Sequence, residues 1–205
     1  MGWASPSSDR WRGRLPGRSL GAVALVFVLV GSPAAPARAK VYLSRSEALA
    51  WAFPDADRVD EAVHVLDEAQ AHAVEALARA PVETRIVKLY TAWRDDAVAG
   101  YAWIDIHTVR TMPEAILVVL TPEGTVRSLR VLAFHEPPEY LPAERWLEQF
   151  EGRRRAEGLV PGDAIHGIAG STLSSRAVAG AVRRSLALYR VLVEGAGAGE
   201  TAGDD

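Results

Sequence analysis

The stretch with the most chemical content runs from His166 to Ser175, His-Gly-Ile-Ala-Gly-Ser-Thr-Leu-Ser-Ser, and leads directly into an amphipathic pattern from Ala177 to Leu192. Hydroxyls and glycines at the mouth of a helix suit an anion. The first backbone N–H groups of a helix have no partner within it and lie at the positive end of its dipole, while glycine lets the backbone approach a ligand closely. Phosphate is the natural guest. The same residues have a plainer use, because Ser and Thr are the ordinary N-caps of helices and Gly is common in loops.

Composition limits the chemistry further. The 205 residues, 49% hydrophobic and 24% charged, suit one globular domain, and a net charge of −3 gives no electrostatic case for nucleic acid. Cysteine is absent. Disulfides, thiolate metal sites, cysteine nucleophiles and c-type haem attachment are therefore excluded, and any redox chemistry belongs to a bound cofactor. His64 and His72 fall two turns apart on one expected helix, too far to share a metal ion, and neither has a partner at the i, i+4 position. They read as surface histidines. Glu136 follows the apolar run Val131 to Phe134, and Tyr140 and Trp146 come at the next corner. An acid at a strand end is commonly solvated and such aromatics are commonly core. A flat cofactor also needs apolar and aromatic walls with a few polar groups to orient it.

Several elements must position these residues. Ser44-Arg45-Ser46-Glu47 has the form of a capping box and introduces a short helix, Glu47 to Phe53, that Pro54 stops. A longer helix is expected next, with Val59, Val63, Leu66, Ala73 and Leu77 near one stripe and Pro81 at its end. From Arg85 the pattern turns strand-like, in runs 85–93, 98–106, 115–120 and 125–134. Between these runs lie Asp95-Asp96, the Arg110 to Pro113 segment and Pro122-Glu123-Gly124. Ile116 to Leu120 is apolar on both faces, which marks a central strand. A short helix over 143–150 precedes Arg153-Arg154-Arg155, a solvated basic run. The last helix, 174–193, places Val178, Ala181, Val182, Leu186, Tyr189 and Val193 near one stripe, with Arg176, Arg183, Arg184 and Arg190 mostly off it. The fold class is α+β: an antiparallel sheet of about four strands packed by helices, preceded by an N-terminal helical segment.

At the start of the chain, Arg10, Arg12, Arg14 and Arg18 precede the apolar run Leu20 to Val30, and Ala37-Arg38-Ala39 follows. This reads as a signal peptide cleaved before Lys40, giving a periplasmic or extracytoplasmic domain. A retained membrane anchor is the alternative, but Pro33 and Pro36 interrupt it where a spanning helix would continue. The expected division is signal peptide 1–39, helical segment 40–84, main domain 85–193 and a disordered tail 194–205.

The loop Gly170-Ser171-Thr172-Leu173-Ser174-Ser175 resembles the Ser-Gly-Ala-Thr-Leu-Thr-Ser signature of the bacterial FMN-binding domain family. That family includes FMN-carrying components of the sodium-pumping NADH:quinone reductase and of the related Rnf electron-transport complex. Phe134-His135-Glu136-Pro137 also stands where the family has a His-x-Glu-Thr-like element, and the similarity spans roughly Val98 to Tyr189. The resemblance implies FMN esterified through its phosphate to Thr172 by a separate flavin transferase. Ala169, Gly170, Ser171, Leu173 and Ser174 would surround the attachment point, and Glu136 and Tyr140 would lie near the ring. The chain departs from the pattern at Ala169, Ser171, Pro137 and His166, where the family usually has Ser, Ala, Thr and Asp. The implied function is an exported electron-transfer module that exchanges electrons with a membrane or periplasmic redox partner, with Glu136 orienting or tuning the ring. No substrate-handling catalytic group and no metal site is evident, so a self-contained enzyme is the weaker expectation. The alternative is an exported non-catalytic binding or assembly domain of the same fold without flavin.

Overall fold

The computed structural model describes residues 40–196. The expected signal peptide and residues 197–205 of the expected tail lie outside the described residues. Among the described residues no helix is long and apolar enough to cross a membrane.

The fold is α+β as expected, and among the described residues its sheet has six antiparallel strands where about four were expected, in the order β1-β6-β5-β4-β3-β2. The strands are β1 (Lys40–Val41), β2 (Arg58–Val65), β3 (Ile86–Arg94), β4 (Ala97–Thr108), β5 (Pro113–Leu120) and β6 (Val126–Phe134). The four expected strands are β3 to β6. The two extra strands come from the segment expected to be helical, and they form the two edges of the sheet. Val59 and Val63 therefore lie on a strand, and only α2 (Glu68–Ala78) is the helix expected there. Edge position explains the misreading: most of β2 is exposed, so it lacks the alternation that marks a half-buried strand. His64 accordingly sits on β2, while His72 stays on the helix.

Caps define the first two helices. Ser44 and Glu47 make the expected reciprocal bonds at the start of α1 (Arg45–Ala52), and Asp67 and Gln70 do the same for α2. Each helix covers one face of the sheet. On one face α1 packs Ala48, Ala52 and Phe53 against Tyr90, Leu117, Val119 and Leu132. On the other, with the short α3 (Glu144–Leu147) lying between them in the chain, α2 and α4 (Thr172–Tyr189) bury Val74, Ala78, Val178, Val182 and Leu186 against Trp103, Val118 and Leu120. Ile116 to Leu120 of β5 is fully buried between the two layers, as a central strand requires. The end of α4 is fixed where Tyr189 Oη donates to the Pro122 carbonyl at 2.8 Å. Gly124 in the same turn has φ +78°, and a Cβ there would run into the Tyr189 ring, so both conformation and space require glycine.

The sheet forks. Pairing of β3 with β4 stops at Leu89 and Trp103, although β3 begins at Ile86 and β4 continues to Thr108. Meanwhile β2 stays paired to β3 down to Ile86, and β5 stays paired to β4 out to Thr108. A largely apolar cavity of about 500 Å3 occupies the notch, with Val87, Trp103, Ile104, Ile106 and Leu188 among its walls.

Candidate cofactor site

Helix α4 begins at Thr172, and Ser171 is its N-cap residue, yet no side chain caps it. Ser171 Oγ instead donates to the Glu139 carbonyl at 3.5 Å, and Ser175 Oγ turns back to the carbonyls of Ser171 and Thr172. The plain reading of these hydroxyls as helix caps thus fails on geometry. What remains is a helix start whose N–H groups no side chain satisfies, whereas α1 and α2 are both capped. Gly170 immediately before it has φ +79°, with open space where a Cβ would stand. The left-handed conformation, which a β-branched residue would resist, turns the loop into the helix.

A cleft of about 220 Å3 opens at this point. Its walls are Gly170, Ser171, Thr172, Leu173 and Ser174 from the loop and helix start, Glu136 and Tyr140 from the segment after β6, and Val109 and Arg110 from the β4–β5 turn. The structure brings seven of the eight residues singled out in the sequence around one space; Ala169 is not among its walls. Val109 and Arg110 were missed, since a lone residue in a turn carries no signal of its own.

The loop into the site is held from behind. Trp146 Nε1 donates to the His166 carbonyl at 2.7 Å, and the His166 N–H donates to Gln149 Oε1 at 2.8 Å. Trp146 also packs edge-on against Phe150, 5.4 Å between ring centroids. It therefore braces the loop and is not a wall of the cleft.

Glu136 has a structural task besides its place in the wall. Its Oε1 accepts the backbone N–H groups of Arg110, Thr111 and Met112 at 3.2, 2.7 and 2.9 Å, and the Thr111 hydroxyl at 3.4 Å. The Thr111 N–H foremost, then those of Met112 and Arg110, hold the Glu136 carboxyl below its usual pKa of 4.5 against the opposing effect of burial. A carboxylate with a depressed pKa stabilises the fold fully above its unfolded value and loses that contribution as pH falls through its folded one. Glu136→Gln should therefore lower stability by about 1 kcal/mol near neutrality, the difference between a charged and a neutral acceptor. It should also flatten the acid side of the stability profile below pH 4.5. Thermal melts of both proteins across pH 3 to 7 check this, and parallel profiles would remove the clamp.

Behind the β4–β5 turn lies a buried ionic chain. Arg184 of α4 donates from Nε and Nη2 to the two Asp105 oxygens, both at 2.7 Å. Asp105 Oδ1 meets His107 Nδ1 at 2.7 Å, and His107 Nε2 meets Glu114 Oε2 at 2.9 Å. His107, Glu114 and Arg184 are all buried, and Glu114 Oε1 has no hydrogen-bond partner among the described residues. Burial pushes His107 down, but its bonds to Asp105 and Glu114 prevail and raise it to about 9. Burial likewise pushes Asp105 up, and the bonds from Arg184 and His107 bring it to about 2. The chain ties α4 to the hairpin whose turn supplies Val109 and Arg110. Arg184 was expected mostly off the buried stripe; its partner Asp105 is what brings it in.

No curated protein and no solved structure gives a significant match to the chain. The family model for the FMN-binding domain matches residues 113–187, a span that runs from the start of β5 into the last turn of α4 and contains Glu136, Tyr140 and the whole Gly170 to Ser174 loop. By that match, residues 113–187 of the chain are similar to the FMN-binding domain family.

Proposed function

We propose that the protein is an exported electron carrier that holds FMN at the start of α4, esterified through its phosphate to Thr172. The observation that carries this reading is the convergence, in the family-matched span, of an uncapped helix start with Thr172 and the Glu136 loop on one cleft. The residues present fit the group. Gly170 and the free N–H groups of the first turn suit a phosphate, and the Thr172 hydroxyl stands at that turn. A volume of about 220 Å3 is below the ~300–1,000 Å3 of sites that enclose a ligand. It suits the phosphate and ribityl end of FMN and leaves the ring near the surface, where the exposed Leu173 and the half-buried Tyr140 offer it apolar contact.

Bound FMN supplies one- and two-electron exchange, so the protein need only bind, orient and present it. A ring at the surface serves electron exchange with a membrane or periplasmic redox partner. Glu136 contributes by fixing the Arg110 to Met112 turn and by placing a negative charge in the cleft wall. Its backbone bonds hold it ionised, which argues against a proton-donating role near neutral pH. Export follows from the basic, apolar and Ala-x-Ala pattern of the N-terminus, and attachment is the work of a flavin transferase acting on the Thr172 loop.

Production in a host that flavinylates exported proteins tests the whole reading. The purified protein should be yellow, with close to one flavin per chain that survives denaturation. Colourless protein from that host, with no FMN uptake on titration, would instead favour a flavin-free binding domain of the same fold.

A further inference from the structure

The phosphate end of FMN carries negative charge, and a helix start offers only about half a positive charge to meet it. Two residues in the cleft wall are charged, Glu136 and Arg110. Glu136 has the wrong sign, and its Oε1 is engaged by backbone N–H groups. Arg110 differs on each count. Its backbone is fixed by the same clamp, in the turn that the Val109 N–H closes on the Met112 carbonyl at 3.1 Å. Among the described residues no carboxylate forms a salt bridge with its guanidinium. It is exposed on the side of the cleft supplied by the β4–β5 turn, and the α4 start lines the same space.

We infer that Arg110 is the counter-charge for the flavin phosphate and the residue that makes the site prefer FMN to riboflavin. This rests on the flavin reading of the cleft above. A guanidinium presents parallel donors that match two phosphate oxygens, and a charge-assisted bond of that kind is stronger than a neutral one. With α4 it holds the phosphate between two positive groups on different elements. Riboflavin has no phosphate and gains nothing from either. The arrangement also gives the Glu136 clamp a purpose, because a turn fixed at three consecutive N–H groups carries Arg110 at a constant place.

The test uses the full chain produced without a flavin transferase, so that binding is reversible, and measures Kd for FMN and for riboflavin by quenching of flavin fluorescence. The parent protein should prefer FMN. Arg110→Gln should weaken FMN binding about tenfold or more and leave riboflavin within about twofold, as expected for one charge-assisted contact. Arg110→Lys should recover part of the preference, and added salt should weaken FMN less in Arg110→Gln than in the parent. Equal loss of both flavins in Arg110→Gln, or an unchanged FMN preference, overturns the inference while leaving the flavin site standing. A parent protein that binds neither flavin overturns the flavin reading and this inference with it.

Discussion

Thr172→Ala should abolish covalent flavin altogether in a host that attaches it. Wild-type peptide containing Thr172 should carry the mass of FMN less one water, and the mutant peptide none. The reason is positional: Thr172 is the first residue of α4, directly after the N-cap residue Ser171, so a phosphate on its oxygen lies beside the unpartnered N–H groups of the first turn. The neighbouring hydroxyls are less available. Ser171 turns to the Glu139 carbonyl and Ser175 to the carbonyls behind it, and Ser174 and Ser175 are almost completely buried. Modification that persisted at an unchanged level in Thr172→Ala would move the attachment to one of those serines and would require the loop to rearrange.

The second large effect concerns stability. Arg184→Met should destabilise the protein by about 3–5 kcal/mol, the usual result of removing one partner from a buried ion pair. That is a large share of the roughly 5–15 kcal/mol that holds a domain together. The loss arises because Asp105 would keep its buried charge with only His107 to compensate it. Adding Asp105→Asn to Arg184→Met should therefore restore part of the loss, which urea denaturation of the single and double mutants can measure. A cost below about 1 kcal/mol for Arg184→Met would mean that water reaches the pair. The chain also sets a pH window. His107, raised from 6.5 to about 9, stabilises the fold fully below pH 6.5 and loses that contribution as pH rises through about 9. Asp105, lowered from 3.8 to about 2, contributes above pH 3.8 and loses it as pH falls through about 2. Between these limits both contributions are present, and the alkaline decline should be absent in His107→Gln.

The placement of the candidate site was legible where residue type and spacing carry the information. Gly170, Ser171 and Thr172 mark a helix start, and Glu136 a strand end on the same cleft, because both features are local in the chain. The strands β3 to β6 were legible for the same reason, with breakers such as Asp95-Asp96 between them; both aspartates adopt positive φ in the tight turn. What could not be read was long-range. Arg184 and Asp105 meet across 79 positions of sequence, and each alone looks like a surface charge. A weak signal did exist: Asp105 and His107 alternate with Ile104 and Ile106, so one face of that strand had to be either solvated or paired. The task of Glu136 was hidden as well. A carboxylate held by the N–H groups of a distant turn leaves no trace in composition or periodicity, so the sequence suggested a ring-tuning acid and gave no sign of the clamp.

The fork between β3 and β4 divides one sheet into two regions of different cohesion. Strands β4 to β6 are laced along most of their length and sandwiched between helices. The β2–β3 pair, whose strands are joined through α2, is bonded to β4 only from Leu89 and Trp103 toward the Asp95-Asp96 turn, and beyond that point Val87 packs against the core instead. The Ile86 end of that pair can open locally without unlacing β4 to β6, since local opening follows the weakest cooperative boundary. The matched span begins at Pro113, on the cohesive side of that boundary. The Thr172 loop, the clamp and the ionic chain lie on that side too, so opening at the Ile86 end breaks none of the backbone bonds that hold the turn carrying Arg110.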